Sequence, residues 1–475
     1  MSLGSPNPPA EAARSSPQDE ARTRQFLAEM SRDLSIGPES VAQVRSVGCG
    51  DLASAFAVSD LAAAAVAVAG AAVVELITTA FGAAPVVAVS RRLASLWFGF
   101  SLQPIGWTLP APWDPIAGDY PTADGWIRLH TNAPHHRDAA LSVLGVAADK
   151  AAVARAVARW NADALETTVV ESRGCAAAMR SRESWATHPQ GQVVNAEPLV
   201  AQRITSDAAQ LNLSSTAARP LQGVRVLDLT RVLAGPVATR FLAGFGAEVL
   251  RIDPPLWEEP AVVPDVTLGK RCARLDLRDS SDRAVFIELL RSADVLVHGY
   301  RADALEQLGF DTQVRRQIRP GLVDVALNAY GWSGPWRNRR GFDSLVQMSA
   351  GIAAAGMRAL GKDRPTPLPV QALDHATGYL MAAAVIRGLT QRVASGHGFE
   401  GRTSLARVAQ HLVGGPAGRS SGDIRSVEKD DWSDSIEVTE FGPARRLRAP
   451  LTLDGTPMHW DRPAVKLGSS APSWQ

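Results

Sequence analysis

A chain of 475 residues with 46% hydrophobic and 20% charged residues has enough apolar material to bury more than one core. Its 49 Lys and Arg against 48 Asp and Glu leave a formal charge of +1, which argues against a broad polyelectrolyte partner and so against nucleic acid. Cys49, Cys175 and Cys272 are far apart and form no CxxC, so neither a disulfide framework nor a metal site is expected, in keeping with a reducing cytoplasm.

Met1–Glu20 is rich in Pro, Ser and charge with no apolar h-region, and is predicted to be a disordered leader without a signal peptide. Ala21–Leu34 has helical spacing and is expected to pack loosely on the body. Asp60–Thr79 is a strong helix prediction, with Ser59 or Asp60 at its N-cap and Gly82 ending it. Its apolar centre, Leu61–Val74, is shorter than the ~18 residues of a membrane span, so a buried helix is expected and no membrane. Pro85–Val89 reads as a strand and Arg91–Phe98 as a helix. Tyr120–His130 reads as a hairpin on a type I′ turn at Asp124–Gly125. Helices are predicted at His136–Leu144, Lys150–Arg159 and Asn161–Ser172, and Ser181–Val193 starts helical and ends in a turn. Thr205–Arg219 is polar and reads as a linker.

Leu221–Pro254 holds two apolar strand candidates, Val224–Leu229 and Glu248–Ile252, around a helix at Val237–Phe245. Strand, helix, strand is the βαβ unit that opens a doubly wound sheet, although no GxGxxG follows the first strand. Further elements are expected at Lys270–Arg278, Ser281–Arg291, Asp294–His298, Ala302–Leu308, Leu322–Leu327, Asp374–Thr390 (with Asp374 capping the helix) and Thr403–Leu412. Val413–Arg425 is Gly/Ser-rich and reads as loose.

The run VLDLTRVLAGP…ATRFLAGFGAEVLRID resembles the opening of family III CoA-transferases, a family that includes alpha-methylacyl-CoA racemase and carnitine-dehydratase-type enzymes. YPTADGWIRL and the HPQG ending near His188 resemble the family's small domain, and Phe441–Gly468 its C-terminal tail. In the family the first run opens the chain; here more than two hundred residues precede it. The resemblance implies an α/β fold: a Rossmann-like parallel-sheet large domain that binds CoA, plus a smaller α+β domain. Val58–Phe98 and Gln371–Leu412 look alike, which adds a duplicated Asp-capped helical element. The expected divisions are a leader and helix (1–45), a degenerate half-repeat (46–115), a small α+β domain (116–205), a linker (206–220), the Rossmann-like domain (221–412) and a loop and tail (413–475).

By the same resemblance, Asp374 in DHATG is the nucleophile that takes an acyl group from a CoA thioester as an anhydride. A helix start is expected to keep its carboxylate ionised. CoA is expected on Arg231, Val232, Leu233 and Ala234, on Leu275, Asp276, Leu277 and Arg278, on Gly299, Tyr300 and Arg301, and on Asn328, Ala329, Tyr330 and Gly331. Arg278 and Arg301 are the leading phosphate candidates. The sequence departs from formyl-CoA transferase at Pro254 and Gln307, where arginines stand, and at Asn328, where a lysine stands. Phe342, in RGFD, replaces the proton-shuttling His of the racemase branch. The function implied is a cytoplasmic acyl-CoA transferase acting on an acyl-CoA and a carboxylic acid. CoA would enter as the substrate thioester, with no metal, in an interlaced homodimer. The alternatives are an acyl-CoA racemase or isomerase and a non-catalytic CoA-binding subunit. Asp60, the first copy's counterpart of Asp374, is expected to serve as a cap.

Overall fold

The computed structural model describes residues 17–208, 210–419 and 422–475. Most of the expected leader therefore lies outside the described residues.

Three strands come from the N-terminal part: β1 (Val44–Val47), β2 (Val87–Ser90) and β3 (Leu102–Pro104). A small sheet follows from β4 (Gly118–Pro121), β5 (Trp126–Leu129) and β6 (Ala176–Ala178). The main sheet uses β7 (Ala201–Asp207), β8 (Arg225–Leu229), β9 (Glu248–Asp253), β10 (Lys270–Arg274), β11 (Val295–His298), β12 (Val323–Asn328) and β13 (His397–Ser404). Its order is β10-β9-β8-β11-β12-β13-β7. The first six strands are parallel and in the Rossmann order 3-2-1-4-5-6; β7 closes the edge antiparallel to β13. Thr205–Asp207 thus belongs to a strand, where the sequence reading placed a linker.

The long helices carry the core. Helix α1 (Pro17–Asp33) buries Phe26, Leu27 and Met30 against α2 (Val58–Phe81), so it is docked tightly where loose packing was expected. Helix α2 is long and apolar enough to cross a membrane by length and composition, yet 89% of its apolar window is buried inside the fold. Helix α3 (Arg91–Trp97) follows β2. Helix α4 (Ala234–Gly244) links β8 to β9, helix α5 (Ala372–Ser395) precedes β13, and helix α6 (Leu405–Gly414) follows it. Alanine-rich faces let α2 and α5 approach closely, and this is the most extensive packing between two elements. Gly378 marks another close approach, α5 on α4. A Cβ there would collide with the Ala234 carbonyl oxygen and lie 2.8 Å from Val237 Cβ. Gly378→Ala is expected to cost about 1–3 kcal/mol, read as a lowered midpoint in urea unfolding.

The two similar segments have matching geometry. Helices α2 and α5 each have 24 residues. Their N-caps, Ala57 and Gln371, sit at φ/ψ of −75/63° and −77/62°, and Gly82 and Gly396 end them in left-handed conformation. Ser90 and Ser404 cap the following helices through Leu93 N–H and Arg407 N–H, both at 3.2 Å. Neither long helix is capped by an aspartate, contrary to expectation: Asp60 and Asp374 each stand third in the first turn.

Other local expectations also shift. Gly125 is not left-handed, so Asp124–Gly125 is not a type I′ turn. Thr122 N–H closes on the Gly125 carbonyl instead, and the Asp124 carboxylate accepts from Ala162 N–H at 2.8 Å, tying the loop to the next helix. Ser181–Val193 holds two helices, Arg182–Thr187 and Pro189–Ala196, because His188 is extended and Pro189 restarts the helix. The segment after α6 is pinned: Gly418 N–H bonds the Ala55 carbonyl, and Arg419 pairs with Asp19 and Asp51. Residues 420 and 421 lie outside the described set. In the tail, β14 (Trp432–Thr439) pairs with β15 (Gly442–Leu447), β15 with β3, and β16 (Leu451–Leu453) with β2, so the tail completes sheets of the N-terminal part.

Candidate functional site

Asp374 lies at the N-terminal end of α5, near the C-terminal ends of the main-sheet strands, and is 7% exposed. The first-turn amides of α5 are met by a distant carboxylate. Asp343 Oδ2 accepts from Leu373 N–H at 3.0 Å and from Asp374 N–H at 3.1 Å. Its Oδ1 accepts from Gln347, whose own Oε1 accepts from Leu368 N–H at 2.7 Å. Asp343 therefore occupies the favourable potential of the helix start. Asp374 has no side-chain hydrogen bond among the described residues and has a buried carboxylate beside it.

The expected ionisation of Asp374 by its helix is corrected accordingly. Burial, then the neighbouring Asp343, push the Asp374 carboxyl well above the ordinary range. Burial raises Asp343 to about 6 against the pull of its hydrogen bonds. Both shifts favour the protonated form of the pair. Asp343 was missed in the sequence because it lies 31 residues from Asp374; its one signal was an acidic residue before an apolar helix.

A cavity of about 740 Å³ opens on Asp343, lined also by Gln371, Phe342, His130, Trp113 and Trp257 among others; Asp374 stands behind Asp343 and is not itself in the lining. Ala111–Asp114 lines the cavity from the N-terminal part, and Phe342 from the stretch that follows Tyr330. A second cavity of about 510 Å³, lined by His298, Arg315, Asp324 and Arg402, shares no residue with the first.

Of the predicted CoA segments, 231–234 and 299–301 follow β8 and β11, which flank the switch point where open α/β sheets bind ligands, whereas 275–278 follow the edge strand β10 and 328–331 the end of β12. Arg231 lies over Trp257 at 4.7 Å and Tyr300 at 4.9 Å, and donates to the Tyr300 hydroxyl at 3.1 Å. Val232 is left-handed at φ 63°, costly for a β-branched residue, and its N–H is held by Glu259 Oε2 at 2.8 Å. Leu233, Ala234, Leu275, Leu277 and Ala329 are buried. Arg278 is exposed and paired to Asp276 at 2.9 Å; Arg301 stands 3.7 Å from Asp303. Gly299 packs beside Leu327.

Two side chains are committed elsewhere than expected. Asn328 closes its own turn through Gly331 N–H and carbonyl at 2.8 and 2.7 Å. Tyr330 is fully buried, its hydroxyl 3.2 Å from Ser349 Oγ and its ring under Arg339. Neither presents its side chain to the cavity.

Asp60 occupies the position in α2 that Asp374 holds in α5, but its surroundings are cationic. Arg91 Nη1 reaches it at 2.8 Å, Arg22 Nε at 3.1 Å and Thr23 Oγ1 at 3.1 Å, all inside the core. It holds charges together, where a cap was expected.

CoA-transferase family III is the family that matches, over residues 221–439. An acetyl-coenzyme A transferase of Hypoxylon pulicicidum is 34% identical over 229 residues, which cover 47% of this chain and 37% of that protein. An acyl-CoA transferase of Gibberella moniliformis is 29% identical over 313 residues, 60% of this chain and 54% of that protein. A probable fatty acyl-CoA transferase of Mycobacterium tuberculosis is 32% identical over 197 residues, 38% of this chain and 50% of that protein. Its crystal structure matches at 30% identity with a TM-score of 0.38, covering 42% of this chain and 58% of that one. The chain spans about half the length of the curated relatives it matches, or less.

Proposed function

Because residues 221–439 belong to CoA-transferase family III, we propose that the chain moves CoA between carboxylic acids through an acyl anhydride on Asp374. The observation that carries this reading is a buried carboxyl group at a helix start, beside a second carboxylate that lines a large cavity. Asp374 attacks once its proton has left to solvent. The freed oxygen attacks the thioester carbonyl carbon, the C–S bond breaks, and CoA thiolate leaves. The acceptor carboxylate attacks the aspartyl carbonyl and expels the donor acid. Thiolate then attacks the new acyl carbon and regenerates Asp374. CoA lies along the segments that follow the parallel strands, with Arg231 beside the cavity residues Val232 and Trp257.

Trapping with hydroxylamine during turnover tests this. A hydroxamate located at Asp374 by mass spectrometry is expected; modification at another carboxylate, or none during measurable exchange, overturns it. Asp343→Asn supplies a pH test. Asp374 must be ionised to attack, so exchange is lost as pH falls through the pair's titration. Removing the neighbouring charge is expected to move that acid limb down by about one unit in a pH–rate profile.

A second reading is favoured by the protonated resting state of the pair, which suits an acid better than a nucleophile. Acyl-CoA isomerisation would show as deuterium wash-in at Cα without acid exchange. The cavity is walled by segments of one chain, residues 98–133 and 342–371 among them. On this reading specific activity stays constant on dilution from micromolar to nanomolar protein. A fall would assign the site to the interlaced homodimer.

A further inference from the structure

We propose that His130 is a further catalytic residue whose Nε2–H donates to the acyl carbonyl oxygen as negative charge develops on it. The proposal rests on the anhydride reading and adds the group that receives the charge. His130 is 6% exposed and lines the same cavity as Asp343. Its ring stacks on Phe342 with centroids 3.8 Å apart and planes 7° from parallel. Trp113 meets it edge-on at 5.7 Å. The ring cannot turn without breaking both contacts.

The two nitrogens have different surroundings. Nδ1 faces Ser344 Oγ at 3.4 Å. Ser344 follows Asp343, whose carboxylate holds the Asp374 amide, so the imidazole is fixed relative to the acyl-accepting group through two adjacent residues. With the serine hydroxyl donating to Nδ1, the ring proton resides on Nε2. Nε2 makes no hydrogen bond among the described residues and is not sealed off from the cavity.

The charge state agrees with this role. Burial, then the nearby Arg128 and His136, push the imidazole down to about 3, so it stays neutral through the working range. A neutral N–H donor held rigidly at the cavity wall stabilises an oxyanion without adding a full charge beside a carboxylate pair. In the step it serves, the carbonyl π electrons move onto oxygen as the Asp374 oxygen bonds to carbon. They return as the C–S bond breaks and thiolate departs. The Nε2 proton is shared throughout and never transferred.

The test uses His130→Phe, which keeps the stack on Phe342, and His130→Gln, which restores an N–H near the Nε2 position. For His130→Phe, kcat for acyl exchange is expected to fall about 10²–10³-fold, with KM for the acyl-CoA changed only a few-fold. His130→Gln is expected to recover part of that loss. In the full chain carrying ¹⁵N-histidine, acetonyl-CoA, a ketone that cannot acylate, should shift the His130 Nε2 resonance. It should do so in Asp374→Asn as well. Exchange that survives His130→Phe within twofold, or bound acetonyl-CoA that leaves Nε2 unmoved, overturns the proposal while leaving Asp374 in place. A shifted Nε2 in a protein with no exchange removes the anhydride reading and keeps His130 as the carbonyl donor. Failure of acetonyl-CoA to bind overturns both.

Discussion

Replacing Asp374 by Asn is expected to abolish acyl exchange, by at least about 10³-fold in kcat, while the protein remains folded. The amide keeps the shape of the side chain and cannot form the anhydride, so hydroxylamine should yield no hydroxamate at this position. The change should also stabilise the protein, an effect opposite in sign to most core substitutions. Asp374 is pushed well up by burial and by Asp343, and Asp343 is raised to about 6. A carboxyl whose folded value is raised holds its proton in the native state after the unfolded chain has lost it. Wild-type stability therefore declines as pH rises from the ordinary carboxylate range, near 4, through the raised values. Asp374→Asn removes one of the two charges, so its advantage should be smallest near pH 4 and reach on the order of 1 kcal/mol or more at pH 7–8. Urea unfolding of both proteins across that range measures it. A variant less stable than wild type at pH 8 would show that the pair is not under electrostatic strain.

Arg91→Met is expected to be the most damaging single change outside the cavity, costing about 3–5 kcal/mol. Arg91 is fully buried and bridges Asp60 at 2.8 Å and Asp51, while donating Nε–H to the Gly50 carbonyl at 3.0 Å. Removing it leaves two carboxylates in the core with only Arg22 and the partly exposed Arg419 to compensate. The penalty comes from the abandoned charges, more than from the lost attraction. Pairing the change with Asp60→Asn should recover part of the loss, and the interaction term in a double-mutant cycle reports the coupling. Two costs that simply add would mean the network is not coupled. Acyl exchange per folded molecule should be unaffected, since Asp60 and Arg91 do not line the cavity.

The contrast between Asp60 and Asp374 shows how far local sequence could be read. Both stand at the same place in matching Ala-rich helices, and their immediate neighbours gave no means of separating a structural acid from a reactive one. Arg91 and Arg22 come from other helices and neutralise Asp60. Among the described residues no cation reaches Asp374; a second acid does. Similarly, the strands that carry the predicted CoA segments were legible, but not that Asn328 closes its own turn or that Tyr330 is sealed in the core. His130 was not singled out in the sequence, where it only ended the predicted hairpin. Its nearness to Ser344 and Phe342 joins residues more than two hundred positions apart.

Apolar periodicity and the positions of Gly and Pro are properties of neighbouring residues. By themselves they determined the long helices, strands β8 to β12, the βαβ opening and the likeness of the two Ala-rich segments, but not the edge strand β7 or the tail strands β14 to β16. The protonation state of a carboxyl depends on which charges and dipoles lie within a few ångströms once water is excluded. Only the tertiary structure decided that, by bringing Asp343 to one helix start and Arg91 to the other.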